Sequence, residues 1–298
     1  MDVLALGRAC VDEILEVGSY PAEDTKVPLA ARLREGGGQA STAACLVASL
    51  GGEAGFVGVL GDDAEGRFAR ERLTVFGVSV AGPTRGRTPV AYCVVSRAGG
   101  TRTILYERSA AEPLRFEEVP AELLGRARTV LVDPQAEPLI AALAPACRAS
   151  GALLVADAEH APDGWEETWG RVDVLAVSET FLREAVPGAG PEEALIAISR
   201  KARGMMCLAT LGERGAIALL DGRLLRVPAI PVAVRDTTGA GDAFHGALCL
   251  ALARGLGWPD VLRFAVAAAS LSCRGLGGRS FPAAAEVEAV WRTLPSPD

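Results

Sequence analysis

Two hydrophobic rhythms divide the chain. Residues 3–6, 54–60, 129–132, 153–156, 174–177 and 205–210 are short, nearly unbroken apolar runs. Each is bounded by glycine or polar turns and most are followed by Ala/Leu-rich stretches of helical period, at 39–50, up to 76, 139–150 and 191–203. Buried strands alternating with helices predict a parallel sheet covered on both faces. Ligands then sit at the carboxyl ends of the strands. Residues 216–220 and 224–227, hinged on Asp221-Gly222, read as a hairpin. Residues 243–254 and 259–273 read as two closing helices, with Pro259 in a first turn.

The second rhythm has period two. Residues 11–17 alternate apolar with polar, and 27–33 do so more weakly, on either side of the polar turn 21–26. Residues 89–96 and 101–106 are strand-like and joined by Arg97-Ala98-Gly99-Gly100, a hairpin tip. These segments predict a small, half-exposed sheet standing off the main core. The chain divides accordingly into a core of residues 1–11, 36–86 and 110–298, and a small sheet of residues 12–35 and 87–109.

Composition narrows the class. Half of the residues are hydrophobic, which suits a packed globule. A formal charge of −7 argues against a nucleic-acid surface. No apolar run reaches the ~18 residues of a membrane span, and Met1-Asp2-Val3 leads into a strand without a signal pattern. The seven cysteines lie far apart in mostly apolar contexts, so they read as reduced core residues of a cytoplasmic protein without a metal knuckle.

The chemistry concentrates in Asp236-Thr237-Thr238-Gly239-Ala240-Gly241-Asp242. The apolar run 230–234 leads in as a strand and the 243–254 helix leads out. Glycines at such a turn let the backbone approach a ligand closely. The first N–H groups of a helix have no internal partner and make an anion site. Asp242 stands at its mouth, where a carboxylate can take a proton from a hydroxyl. That combination suits phosphoryl transfer. His245, three residues on, reads as a packing residue or one that supports the site from behind.

The same seven residues match, position for position, the C-terminal signature of the ribokinase-like (PfkB) sugar kinases. They are not a Walker P-loop, since no Gly-Lys-Ser/Thr follows. Residues 36–77, from the triple glycine onward, resemble the N-terminal signature of that family, with Thr42 where an Asn is usual. The resemblance spans essentially the whole chain. It implies an α/β fold of three layers, with a mostly parallel central sheet and a small β-sheet lid. It implies ATP and Mg2+ as cofactors and a small sugar as partner, with neither nucleic acid nor membrane; an exposed lid sheet often pairs by its edge or face, so a homodimer through the lid is the expectation.

Site residues follow from the resemblance. Asp242 would be the general base and Gly239, Ala240 and Gly241 the anion hole. Asp12, Asp24, Gly37, Gly38, Thr42 and Arg102 would bind the sugar. By residue type alone Asp12 is equally a solvated strand residue, Asp24 a turn residue and Arg102 a solvated hairpin residue. Thr210, Gly212 and Gly215 resemble the nucleotide-binding stretch, Gly275 lies where the family closes over adenine, and Ser178 stands at the cofactor side. No residue is assigned as a direct metal ligand.

Two departures matter. The family's Asn-x-x-Glu, whose Glu acts through water on Mg2+, is here Ser178-Glu179-Thr180-Phe181. Segments 36–44, 236–248 and 274–279 look closest to sulfofructose kinases, with ketohexokinases next. Yet the arginine expected just past Val132 to meet an anion is replaced by the acidic stretch Asp133-Pro134-Gln135-Ala136-Glu137. The expectation is therefore an ATP-dependent kinase of a neutral ketose, with sulfofructose as the alternative. From another class, a non-catalytic sugar or nucleotide sensor is opposed by the intact Gly239–Asp242 turn. A dinucleotide-dependent oxidoreductase is opposed by Gly7-Arg8-Ala9-Cys10 in place of GxGxxG.

Overall fold

The computed structural model describes residues 1–108, 111–202 and 205–295. The expected ends of the small sheet at Ser109 and of the 191–203 helix at Arg203, the expected restart of the core at Ala110, and residues 296–298 lie outside the described residues. In chain order the strands are β1 (Val3–Leu6), β2 (Cys10–Val17), β3 (Leu29–Gly37), β4 (Ala54–Val57), β5 (Ser79–Ala81), β6 (Val90–Ser96) and β7 (Arg102–Tyr106). They continue as β8 (Thr129–Val132), β9 (Leu153–Ala158), β10 (Val174–Ser178), β11 (Met206–Thr210), β12 (Ala216–Leu220) and β13 (Arg223–Val227).

Nine strands form the central sheet in the order β13-β12-β11-β10-β9-β8-β1-β4-β5. Every pairing from β11 to β5 is parallel, and β12 and β13 close one edge as an antiparallel hairpin. The unbroken apolar runs now have a reason. In β1, Val3 and Ala5 pack into the core beneath one helical layer while Leu4 and Leu6 pack into the core on the other side. All four are fully buried, so neither face of the strand can be polar. One layer holds the Gln39–Ser49, Ala240–Ala253 and Trp258–Ser272 helices; the other holds Ile140–Ser150 and Pro191–Lys201.

The small sheet has the order β3-β2-β6-β7 and is mixed, since β2 and β6 run parallel. Two expectations need correction. Residues 11–17 do not form an exposed strand: β2 is central and buried at nearly every position. Its acidic positions are polar because they are paired, Glu13 with Arg32 and Arg34 and Glu16 with Arg97 and Arg235. Exposure falls instead on β7 and on Leu29, Ala30, Arg32 and Arg34 of β3. Residues 230–234, expected as a strand leading into the glycine turn, have no regular structure. Pro228 and Pro231 lack the N–H groups a central strand needs. The segment is instead tied down where the Arg235 and Asp236 N–H groups donate to the Cys273 carbonyl, at 2.9 and 3.2 Å.

Candidate active site

Asp236 organises the glycine turn. Its buried carboxylate accepts from the Thr238 N–H (2.8 Å) and Thr238 Oγ1 (2.7 Å) through one oxygen, and from the Gly277 N–H (2.8 Å) through the other. Gly239 then turns the chain with φ 73°, which favours glycine, and becomes the N-cap of the Ala240–Ala253 helix. A Cβ at Gly239 would strike the Gly278 backbone. The N–H groups of Gly241 and Asp242 meet no acceptor among the described residues. Gly241 borders a groove of about 620 Å³ together with Thr210, Gly212, Gly215 and Thr237, with Arg102 reaching in from β7. Arg102 Nη1 donates to Thr237 Oγ1 at 2.8 Å.

Asp242 sits on the first turn of that helix and is only partly exposed. Burial pushes its carboxyl up to about 7, the Asp157 charge adds to this, and His245 pulls it back. Asp12 is buried on the small sheet. Burial raises its pKa too, offset by the Cys10 Sγ, which donates to Oδ1 at 3.3 Å, and by the Arg279 charge. Gly37 is glycine for the sake of Asp12: a Cβ there would overlap the Asp12 carboxylate.

Cross-strand register arranges these groups on one face. Glu35, Asp12, Ala91 and Tyr106 form a rung; Leu33, Ile14, Cys93 and Ile104 the next alternate rung; Ala31, Glu16, Val95 and Arg102 the third. Asp12 and Glu16 are four residues apart, so the first and third rungs are separated by about 13 Å. One end of the face carries Asp12 and the other carries Arg102 against Thr237.

Other expected residues fall less close. Gly38 is the N-cap of the Gln39–Ser49 helix and Thr42 is buried within it, both beside Asp12's glycine. Asp24 stays on the exposed β2–β3 loop with a left-handed backbone and is not brought to Asp12. Arg102 meets the glycine-turn end of the face rather than the Asp12 end. Ser178 is spent as a helix cap: its Oγ accepts from the Phe181 N–H and donates to the Glu159 carbonyl. Gly275 faces Ser280 Oγ and does not border the groove. Glu179 is ion-paired with Arg214 at 2.8 Å, and Phe181 is buried edge-on to Trp165.

Three contributors escaped the sequence reading. Asp133 does not make the mouth of the site acidic. It is fully buried and accepts the N–H groups of Arg8 (2.7 Å), Ala40 (3.2 Å), Gln135 (2.8 Å) and Ala136 (3.3 Å), tying the ends of β1 and β8 to a helix start. Asp157, at the end of β9, reaches His245. Arg279, buried, donates to Ser41 Oγ at 2.9 Å beside the glycines. The available signal was a lone aspartate closing an apolar run, at 133 and again at 157.

The model of the pfkB family carbohydrate kinases matches residues 2–284. The chain belongs to that family. As a carbohydrate kinase it is a phosphotransferase with a hydroxyl acceptor, and kinases of this family use ATP with Mg2+. It is 31% identical over 268 residues to fructokinase-1 of Zea mays, covering 83% of this chain and 81% of the relative. It is 29% identical over 296 residues to ketohexokinase of Mus musculus, covering 93% and 97%. Among solved structures, the Arabidopsis thaliana ribokinase complexed with ribose and ATP superposes with a TM-score of 0.79 at 25% identity, over 97% of this chain and 98% of that one.

Among the described residues no three His, Cys, Asp or Glu converge as a metal cage. Mg2+ needs none when it arrives with a nucleotide, because it keeps waters and binds substrate phosphates. The site fits such an ion, held through the phosphates that the Gly239–Gly241 turn can bind. No helix among the described residues is long and apolar enough to cross a membrane.

Proposed function

We propose that this kinase transfers the γ-phosphoryl group of ATP to a hydroxyl of a ketose. Asp242 serves as general base, and Gly239, Ala240 and Gly241 as the anion hole. The observation that supports the reading is Asp242 on the first turn of a helix whose Gly241 and Asp242 N–H groups lack acceptors among the described residues, with Asp12 and Arg102 of the small sheet both acting on its charge. The nucleotide lies in the groove along Thr210, Gly212 and Gly215, with Arg102 against its phosphates. Bound Mg2+ would neutralise phosphate charge. Asp12 and the Gly37-Gly38 backbone hold the sugar so that one hydroxyl reaches Asp242. A base with a pKa near 7 is ionised over the upper half of the neutral range, where it can accept that proton. The small sheet, residues 12–35 and 87–109, acts as a lid and as the contact of a homodimer. A ketose is preferred because fructokinase and ketohexokinase are among the relatives.

A second reading, that the ketose carries an acidic group as sulfofructose does, is favoured by Arg8. Its Nη2 donates to Gln135 Oε1 at 3.1 Å, and its guanidinium lies 6.0 Å from the Tyr106 ring, on the rung of Asp12. Its Nε is buried without a partner, and no carboxylate among the described residues pairs with it. With Asp133 withdrawn into its cap, the small pocket beside β1 is bordered by Arg8, with Glu112 also on its rim.

ADP release should be measured with ATP, Mg2+ and a panel of fructose, fructose 6-phosphate, sulfofructose, ribose and adenosine. Turnover of a ketose is expected, and Asp242→Asn should lower kcat at least ~100-fold with little change in ATP binding. Near-parent turnover in that variant would remove Asp242 as base. A preference for the acidic ketoses over fructose would select the second reading.

A further inference from the structure

Behind Asp242 lies a buried ion pair that the mechanism above does not use. His245 is one turn beyond Asp242 on the same helix, buried beneath it. Its Nδ1 is 3.3 Å from Asp157 Oδ2 at the end of β9. Apart from that approach the two have no polar partner. Neither imidazole nitrogen makes an aligned hydrogen bond, and no N–H donates to the Asp157 carboxylate among the described residues. Asp133, by contrast, is satisfied by four backbone N–H groups. A buried carboxylate without donors is tolerated only beside a counter-charge. Asp242 feels the same field, since Asp157, Asp12, Arg102 and His245 all act on it. On the helix itself Cys249 is the next titratable group, and Asp133 acts on Asp157's side from β8.

We propose that His245 is a positioning residue for Asp242: as an imidazolium it offsets Asp157, and so leaves Asp242 free to ionise and accept the hydroxyl proton. The proposal rests on the reading of Asp242 as base. Burial alone would lower the His245 pKa, but the charge and contact of Asp157 outweigh it and the net shift is upward. With a neutral residue at 245, Asp157 would face Asp242 uncompensated. The base would then be protonated over more of the neutral range.

The chain has only two histidines, so a substrate-free measurement is direct. In the His160→Asn protein, NMR of the imidazole should show His245 titrating above its ordinary 6.5, and Asp157→Asn should lower that value. The pH profile of kcat/KM for fructose at saturating ATP supplies the second readout. His245→Gln should move the acid limb upward by about one pH unit, which costs about fivefold at pH 7 and is recovered near pH 9. A neutral His245 at pH 7 in the first measurement overturns the proposal, as does a loss in His245→Gln that is equal at every pH. If His245→Gln does not fold, a His245 titration left unmoved by Asp157→Asn overturns it alone. Failure of the base reading is separate, because it appears as turnover in Asp242→Asn.

Discussion

Asp12, buried, and Asp242, partly exposed, both have raised pKa values, yet their surroundings differ. Asp12 has the Cys10 thiol as donor and Arg279 as nearby charge, which favour an ionised acceptor and so suit the sugar-binding role proposed for it. Asp242 has no donor of its own and a pKa of about 7, which suits proton transfer. Asp12→Ala should therefore raise the sugar KM roughly 10-fold or more, as expected for loss of a charge-assisted hydrogen bond of about 1.5–3 kcal/mol. The ATP KM should change little, and an unchanged sugar KM at saturating ATP would exclude Asp12 from the sugar site. Asp242 was legible because its glycine turn is a contiguous string. Asp133, Asp157 and Arg8 were not, since their meaning lies in which strand ends are neighbours. Nothing local distinguishes a carboxylate that caps four N–H groups from one that faces a ligand.

At the scale of elements, the hairpin of β6 and β7 is fastened to the glycine turn at two points. One is Arg102 on Thr237. The other is Glu16, whose side chain is fully buried between Arg97 Nη2 at 2.7 Å and Arg235 Nε at 3.0 Å. Arg235 immediately precedes Asp236, so the small-sheet face and the glycine turn are held in one register. The hydrogen bonds from Arg235 and then Arg97 keep the Glu16 pKa below its ordinary 4.5. A depressed carboxylate stabilises the fold fully above the unfolded value and loses that contribution as pH falls through the folded one. Glu16→Gln should cost about 1 kcal/mol at pH 7, once the exposure of the two guanidiniums is discounted. In urea titrations the gap to the parent should shrink progressively below pH 4.5. Equal stability at pH 7 would show that the clamp contributes nothing. The pattern of residues 11–17 hid this clamp: alternation fixes which residues share a face, but not whether that face is wet or ion-paired. The core strands carried no such ambiguity, because burial on both faces permits only apolar residues.

The whole molecule leaves one surface unexplained by its own packing. The outer face of the small sheet presents Tyr92 and Leu105, paired across β6 and β7, and the edge of β7 has no strand beside it among the described residues. All five β7 positions are exposed, including Ile104 and Tyr106 on the site face. An unpaired apolar edge strand invites association. A second copy docking here would cover Leu105 and Tyr92 and brace the hairpin that carries Arg102. The proposed dimer therefore has a functional corollary: the lid is steadier in the pair than in the single chain. In sedimentation at micromolar concentration the parent should run as a dimer and Leu105→Glu as a monomer, since a charge at the centre of the patch cannot be buried unpaired. Val75→Glu, on an equally exposed apolar position of the Ala64–Val75 helix, should leave the mass unchanged. The Leu105→Glu monomer should also show a raised ATP KM, because Arg102 is carried on the loosened hairpin. A parent that sediments as a monomer, or a Leu105→Glu protein that stays dimeric, would remove the small sheet as the interface.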